Sequence, residues 1–279
     1  MDWKNLGQRV AVAVVFAPLI IYLGWIGGAG YLLLIEVIIV LGLFEFYRLA
    51  QHKQIRPSFP VGMLAGSAIA PLIYFRLSEG LWLLCIAASV IMVILELLRR
   101  PHPGSGPMVN VASTLMGLIY VAGMMSFLLM LRELPRQTGG DYEHAGTWVA
   151  MLFLTTWICD TAAYFVGLYF GKHKLFERVS PKKTIEGALG GLVFAVLAAV
   201  VCHHAFVKGL QLRDAVIIGI LIGTVGQVSD LVESLFKRDA GVKDSSGLIP
   251  GHGGMLDRFD SEMLVAPLVY FYLLAVGVA

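Results

Sequence analysis

The sequence predicts an all-α integral membrane protein. Of its 279 residues, 58% are hydrophobic and only 14% are charged, a composition too apolar for a water-soluble domain. Apolar runs of about 18 residues or more recur along the chain, and each is long enough to cross a bilayer as a helix. No segment between these runs is long enough to fold separately, so we predict one polytopic domain over residues 1–279.

The apolar runs predict nine transmembrane helices. The first is interpreted as a retained helix because its apolar run is longer than that of a typical signal peptide and no A-x-A cleavage site follows. The nine predicted spans are 10–27, 30–47, 60–77, 81–98, 111–131, 147–170, 185–206, 213–236 and 261–278.

The distribution of basic residues predicts the orientation. With the N-terminus in the cytoplasm, 16 of the 21 lysines and arginines lie on the cytoplasmic side. The other five are Arg76, Arg132, Arg136, Lys208 and Arg213. Because cytoplasmic loops carry the excess of positive charge, we expect a cytoplasmic N-terminus and an extracytoplasmic C-terminus.

Acidic residues inside the predicted helices need a partner or water. Glu45 and Glu96 lie near helix ends, where we expect them to reach water or a base such as Arg48 or Arg99. Asp160 lies deeper in the sixth span. It requires a cation, a metal or a water-filled cavity, or it forms a hydrogen bond that fixes helix packing.

The most polar stretch, residues 234–260, is named here the signature segment. It reads SLFKRDAGVKDSSGLIPGHGGMLDRFD and combines acids, bases and glycines between two apolar runs. Carboxylates can hold a metal, while cations and glycine amides can bind phosphate oxygens. A solvated loop is the alternative, but it would not require so many charges of both signs against a membrane. The segment therefore predicts a site for a metal-bound polyphosphate, within a site region at 229–260.

The order of polar residues in the signature segment resembles that of the phosphatidate cytidylyltransferases, or CDP-diacylglycerol synthases. The matching positions are Ser234, Lys237, Arg238, Lys243, Asp244, Pro250, His252, Gly253, Gly254, Asp257, Arg258 and Asp260. The signature segment covers about a tenth of the chain, and no departure from the pattern is seen.

A second basic stretch, GKHKLFERVSPKKTIEG, follows the sixth span. We expect Ser180 and Pro181 to begin a helix, as N-cap and first residue, with Lys182 and Lys183 at its positive end. Such an end suits a lipid phosphate. The alternative is an anchor that contacts anionic lipid headgroups. The stretch also resembles a patch of the same family.

Three acids are predicted to hold Mg²⁺. Asp230 lies at the cytoplasmic end of the eighth span, four residues before Ser234 and seven before Lys237. Asp257 and Asp260 are three residues apart and would share a face of a helical turn. Brought to one depth, Asp230, Asp257 and Asp260 would make a site of the kind that Mg²⁺ uses with substrate phosphates.

The resemblance implies transfer of CMP from CTP to phosphatidate at the cytoplasmic face of a membrane, here expected to be a bacterial inner membrane. It also implies a homodimer, with membrane lipid and no nucleic acid as partner. The catalytic set is Asp230, Lys237, Arg238, Lys243, Asp244, Asp257, Arg258 and Asp260. The substrate-binding set is Ser180, Lys182, Lys183, Ser234, His252, Gly253, Gly254 and Asp160.

Two other functions compete with this interpretation. One is a CTP-dependent lipid kinase, which would use the same nucleotide and membrane but transfer the γ-phosphoryl group. The other is a polytopic transporter that relays ions through Asp160 and Asp230. The concentration of charge at one interface counts against the transporter.

Overall fold

The computed structural model describes residues 3–100, 104–249 and 253–277, with side chains from residue 14 onward. In these ranges nine helices and one small sheet form. The helices are α1 (Trp3–Ile26), α2 (Gly28–His52), α3 (Phe59–Tyr74), α4 (Ser78–Leu98), α5 (Pro107–Thr138), α6 (Tyr142–Phe170), α7 (Ile185–Ala205), α8 (Leu212–Asp239) and α9 (Leu256–Val276). Short π-helical turns interrupt α5 at Leu118–Gly123 and α8 at Ile222–Gly226.

The prediction of an all-α membrane protein is confirmed. Over the described residues, seven helices are long and apolar enough to cross a bilayer: α2, α4, α5, α6, α7, α8 and α9. The described part of α1, Val14–Ile26, and α3 are shorter apolar helices. Each of the nine predicted spans thus coincides with a helix, while the crossing of the membrane by α1 and α3 stays a prediction.

Small residues allow close approach of neighbouring helices. Gly62 of α3 and Gly117 of α5 both lie against the side chain of Tyr47 of α2. A Cβ added at either glycine would lie within 2.4 Å of the ring or the hydroxyl of Tyr47. On α7, a Cβ on Gly187 would meet the carbonyl oxygen of Ala163 of α6 at 2.7 Å. Helices in a bilayer associate through such close packing, because lipid is as apolar as the side chains that it replaces.

The chain divides into two compact units. The first unit comprises Met1–Val14, Gly28–Met130 and Phe236–Arg258. The second comprises Val15–Gly27, Leu131–Leu235 and Phe259–Ala279. Four of their boundaries fall inside α1, α5, α8 and α9, and a fifth lies between α1 and α2. The assignment of residues 1–279 to a single polytopic domain stays a prediction.

The helix start predicted at Ser180 is wrong. Strand β1 (Lys174–Phe176) pairs antiparallel with strand β2 (Ser180–Thr184), so Ser180, Pro181, Lys182 and Lys183 lie on a strand. The following helix, α7, begins at Ile185, and its N-cap is Thr184, whose hydroxyl accepts a hydrogen bond from the N–H of Gly187. Lys182 and Lys183 are therefore not at a helix N-terminus.

The shared helical face expected for Asp257 and Asp260 also requires correction. Phe259, which lies between them in α9, has φ −123° and ψ 15°, outside the helical range. Regular i, i+3 spacing therefore does not apply across this pair.

Candidate active site

In the first unit the signature segment folds around the buried carboxylate of Asp257. Its Oδ1 accepts a hydrogen bond from Nζ of Lys237 at 2.5 Å. Its Oδ2 accepts from N and Oγ of Ser245, both at 2.9 Å, and from N of Gly254 at 2.7 Å. The side chains of Lys237 and Asp257 are only 10% and 6% exposed, so the two charges compensate each other away from water.

Local sequence explains why Asp257 turns back on the loop. Its carboxylate accepts a hydrogen bond from the N–H of Gly254, three residues earlier. In a capping box, the side chain of the third helical residue accepts from the N–H of the N-cap residue in the same way. Gly253 has φ +80°, and a Cβ on Gly254 would lie 2.0 Å from Oγ of Ser245. Only glycine fits at these two positions.

Aromatic packing fixes the position of Lys237. The preceding residue, Phe236 of α8, lies edge-on to Phe46 of α2 at 6.0 Å and to Tyr120 of α5 at 5.3 Å between ring centroids. Such edge-to-face pairs favour one orientation of the rings. The end of α8 is thereby held where Lys237 reaches Asp257.

Glu45 was interpreted as a boundary residue near water or Arg48, and this is wrong. Its side chain is fully buried, and its carboxylate accepts four hydrogen bonds from the signature segment. The guanidinium of Arg48 instead lies over the ring of Phe44, at 5.2 Å.

The prediction that Glu96 reaches a base is confirmed, since Nη1 of Arg99 lies 2.5 Å from Oε1 of Glu96.

Four charged residues of the predicted catalytic set lie at the surface of the first unit. Lys243, Asp244 and Arg258 are exposed. Arg238 is also exposed, and its Nη1 donates to the carbonyl oxygen of Val242 at 3.0 Å. Pro250, Gly251 and His252 lie outside the described residues, so the predicted role of His252 has no structural account.

In the second unit Asp230 of α8 forms an ion pair with Lys183 of β2. Oδ2 of Asp230 accepts from Nζ of Lys183, and Oδ1 accepts from Oγ of the buried Ser234 at 3.4 Å. The side chains of the ion pair are 28% and 26% exposed, so neither is fully enclosed by protein. Two residues that lie 47 positions apart in the chain, and that were predicted to bind different partners, thus lie together.

The hairpin that carries Lys183 is held by the start of α7. Oε2 of Glu186 accepts from the N–H groups of Lys172 and His173, at 3.0 and 3.2 Å. Nζ of Lys174 donates to the carbonyl oxygen of Pro181 at 2.6 Å. These bonds hold the two strands together. Ser180 is half-buried, and Lys182 is exposed.

Acidic side chains of the second unit concentrate around Asp260. This half-buried residue lies close enough to interact electrostatically with four other carboxylates, those of Asp230, Glu233, Asp160 and Glu262. Asp160 is exposed, and the carbonyl oxygen of Asp260 accepts a hydrogen bond from Oγ of Ser229. Mutual repulsion of carboxylates makes such a group a favourable environment for a cation.

A preformed metal site is not seen. Across the described ranges no three His, Cys, Asp or Glu side chains are arranged to hold a metal ion. Of the three predicted ligands, Asp257 binds Lys237 in the first unit, Asp230 binds Lys183 in the second, and Asp260 lies near Asp230. The assignment of Mg²⁺ to these three residues stays a prediction.

Comparison with known proteins reveals a family match over nearly the whole chain. Residues 7–276 match the model of the cytidylyltransferase family. The chain is similar to proteins named phosphatidate cytidylyltransferase from three bacteria. Identity is 30% for Bacillus subtilis (strain 168), covering 96% of this chain and 98% of the relative. Identity is 33% for the relative from Staphylococcus haemolyticus, covering 98% of this chain and 99% of the relative. It is 34% for the relative from Haemophilus influenzae, covering 96% of this chain and 98% of the relative.

Proposed function

Because the chain belongs to the cytidylyltransferase family, we propose that it transfers the cytidylyl group of CTP to phosphatidate. The products are CDP-diacylglycerol and pyrophosphate. The observation that carries this proposal is the fold of the signature segment. Its described residues connect two apolar helices, α8 and α9, and expose Arg238, Lys243 and Arg258 beside the buried Lys237–Asp257 pair. A loop at a helix end is accessible both to a water-soluble nucleotide and to a lipid headgroup.

The reaction requires positioning and charge compensation rather than a covalent intermediate. An oxygen of the phosphatidate phosphate forms a bond to the α-phosphorus of CTP. The bond from that phosphorus to the oxygen that bridges to the β-phosphate breaks, and pyrophosphate leaves with its electron pair. Since a phosphate monoester is already ionised near neutral pH, no general base is needed. In-line displacement at phosphorus depends mainly on orientation and electrostatic stabilisation.

The exposed bases of the signature segment supply donors for phosphate oxygens. We assign Arg238, Lys243 and Arg258 to the triphosphate, with the N–H of Gly253 as a further donor, because guanidinium and ammonium groups bind phosphate through charge-assisted hydrogen bonds. Asp244 would contact the nucleotide. Lys182 and Lys183, with Ser180 beside them on β2, would bind the phosphate of phosphatidate, whose acyl chains stay in the bilayer.

We infer that a divalent cation binds among the acidic side chains of the second unit. Asp230 and Asp260 provide hard oxygen ligands within a group of five carboxylates, and Mg²⁺ prefers a few such ligands completed by water and phosphate oxygens. Bound there, Mg²⁺ would neutralise charge on the triphosphate and the leaving pyrophosphate.

Labelled nucleotide tests the function directly. With purified protein, phosphatidate and Mg²⁺, we expect CTP labelled at the α-phosphorus to transfer its label to lipid, and CTP labelled at the γ-phosphorus to release it as pyrophosphate. Incorporation of the γ-label into lipid would instead identify a lipid kinase. If neither label entered the lipid, a transporter would remain as the alternative function.

The membrane arrangement that we propose has nine spans, a cytoplasmic N-terminus and an extracytoplasmic C-terminus, in a bacterial inner membrane and as a homodimer. It places the signature segment in the cytoplasm, where CTP is available. The supporting observation is the excess of lysine and arginine on that side.

Cysteine labelling in intact cells tests this orientation. In a background without native cysteines, the thiol of Leu248→Cys, at an exposed position of the signature segment, should react only with a membrane-permeant reagent. The matched control, Thr138→Cys at the exposed end of α5, should also react with an impermeant reagent. The reverse pattern would contradict both the orientation and cytoplasmic CTP binding.

A further inference from the structure

The carboxylate of Glu45 binds both ends of the loop within the signature segment. Its Oε1 accepts from Oγ of Ser246 at 2.6 Å and from N of Met255 at 2.8 Å. Its Oε2 accepts from Oγ of Ser245 at 2.9 Å and from N of Leu256 at 2.8 Å. One side chain of α2, about 200 positions away in sequence, therefore closes the base of a loop that starts near residue 245 and ends near residue 256.

This arrangement requires a carboxylate in particular. A carboxylate accepts only, and its two oxygens offer about four lone-pair sites, one for each donor here. Two of the donors are the N–H groups at the start of α9, where unpaired amides and the helix dipole favour a negative charge. Glutamine at position 45 would present an NH₂ group to two of the four donors, so its hydrogen bonds could not be conserved.

The loop closed by Glu45 contains the N–H of Gly253 and is flanked by Lys243 and Arg258, three groups that the proposed function assigns to the triphosphate. Between the two ends, N of Ile249 donates to the carbonyl oxygen of Gly253 at 2.9 Å, and Gly254 packs so closely that a Cβ would lie 2.4 Å from Oε2 of Glu45. Oγ of Ser245 lies 2.9 Å from Glu45 and 2.9 Å from Oδ2 of Asp257. The hydroxyl of Ser245 has one proton, which it can donate to only one of these carboxylates at a time. Displacement of Glu45 therefore also changes the hydrogen bond between Ser245 and Asp257.

We propose that Glu45 is a positioning residue that holds the nucleotide-binding loop in its active arrangement. The proposal rests on the proposed function, because that function assigns phosphate binding to this loop. Glu45 is buried and acts through Ser245, Ser246 and the start of α9. Its removal should affect the use of CTP more than the use of phosphatidate, whose proposed ligands lie on β2.

The test compares Glu45→Gln with Glu96→Gln, in purified full-length protein. Glu96 is also a buried acid of the first unit, but it bonds to Arg99 and Asn110. We expect Glu45→Gln to lower kcat/KM for CTP by about 10²-fold per folded molecule, the usual effect of a displacement of about 1 Å at an active site. The KM for phosphatidate should change little. Glu96→Gln should retain near-normal kinetics, and Glu45→Asp, which keeps the charge, should recover part of the loss.

A second measurement does not depend on catalysis. The rate of thiol modification of Leu248→Cys, in the background without native cysteines, reports the mobility of the loop. Glu45→Gln should raise this rate several-fold, and Glu96→Gln should not. Ser246→Ala, which removes one donor, should give a smaller increase and serves in place of Glu45→Gln where that variant does not fold.

Two results would overturn the proposal. One is an unchanged modification rate in Glu45→Gln and Ser246→Ala. The other is an equal loss of CTP kinetics in Glu45→Gln and Glu96→Gln. Failure of the proposed function is distinct from both, since the unsubstituted protein would then make no CDP-diacylglycerol, while the modification rates would still report whether Glu45 holds the loop.

Discussion

Replacing Asp230 by asparagine is expected to lower kcat for CDP-diacylglycerol formation by about 10²–10³-fold, the usual effect of removing one electrostatic stabiliser of the transition state. Asparagine keeps the shape of the side chain but removes a charge from the proposed Mg²⁺ ligands. The concentration of Mg²⁺ required for half-maximal rate should rise. Kinetics with purified variants, normalised to folded protein, measure both effects.

The ion pair with Lys183 allows a sharper form of this experiment. If Asp230 serves only to neutralise Lys183, Lys183→Met/Asp230→Asn should be as active as Lys183→Met, which has already lost a proposed phosphatidate ligand, and its Mg²⁺ dependence should be unchanged. If Asp230 holds the metal, the double variant should be far less active than Lys183→Met and should require more Mg²⁺. Asp239→Asn is the matched control. Asp239 lies on the same helix and pairs with Lys53 at the surface, so its replacement should have little effect.

A well-folded Asp230→Asn protein with near-normal turnover and unchanged Mg²⁺ dependence would contradict the assignment. Lowered thermal stability with normal turnover would identify Asp230 as a packing residue. A double variant as active as Lys183→Met would identify Asp230 as the counter-charge of Lys183.

The helical fold was predictable because the bilayer imposes a simple rule on sequence. Each spanning helix must satisfy its backbone internally and present apolar side chains to lipid, so long apolar runs mark helices without knowledge of their neighbours. Leu97 of α4, 82% exposed, illustrates the point, since its exposure matches a lipid-facing position. The polar signature segment was predictable for the complementary reason: so many charges cannot lie in hydrocarbon, and acids, bases and glycines in this combination suit a metal-bound phosphate.

The contacts of the charged residues were not predictable in the same way. Glu45 and Ser245 are 200 positions apart in the sequence. No local pattern near Glu45 shows whether its carboxylate binds a distant loop or reaches water. The only signal was negative: an acid in an apolar helix must find partners. Likewise, the sequence around Lys183 does not indicate Asp230 as its partner. The fold of the second unit brings the two side chains together.

The error at Ser180 has a local physical cause. Serine followed by proline is compatible with a helix start, but proline is equally compatible with an edge strand. Pairing with residues 174–176, together with the bonds from the hairpin to Glu186, favours the strand. The helix then begins four residues later, at the next side chain able to cap it, Thr184.

Breaking the buried pair of Lys237 and Asp257 is expected to cause the largest loss of stability. Removing one partner of a buried ion pair costs about 3–5 kcal/mol, because the other charge is left buried without compensation. Asp257→Asn should be the more damaging variant. Four donors converge on this carboxylate, and the NH₂ group of asparagine would face at least one of them. Lys237→Met leaves three of those four hydrogen bonds in place and should destabilise less.

Thermal unfolding in detergent, with activity measured well below the transition, separates stability from chemistry. We expect both single variants to melt earlier than the unsubstituted protein, and Lys237→Met/Asp257→Asn to melt above Asp257→Asn, since the double variant leaves no unpaired charge. If Lys237 or Asp257 also takes part in the reaction, activity will stay low in the double variant despite the recovered stability. Single variants that melt like the unsubstituted protein would contradict the structural role of the pair. Asp257 would then contribute to the protein only through the reaction, as the sequence alone had predicted.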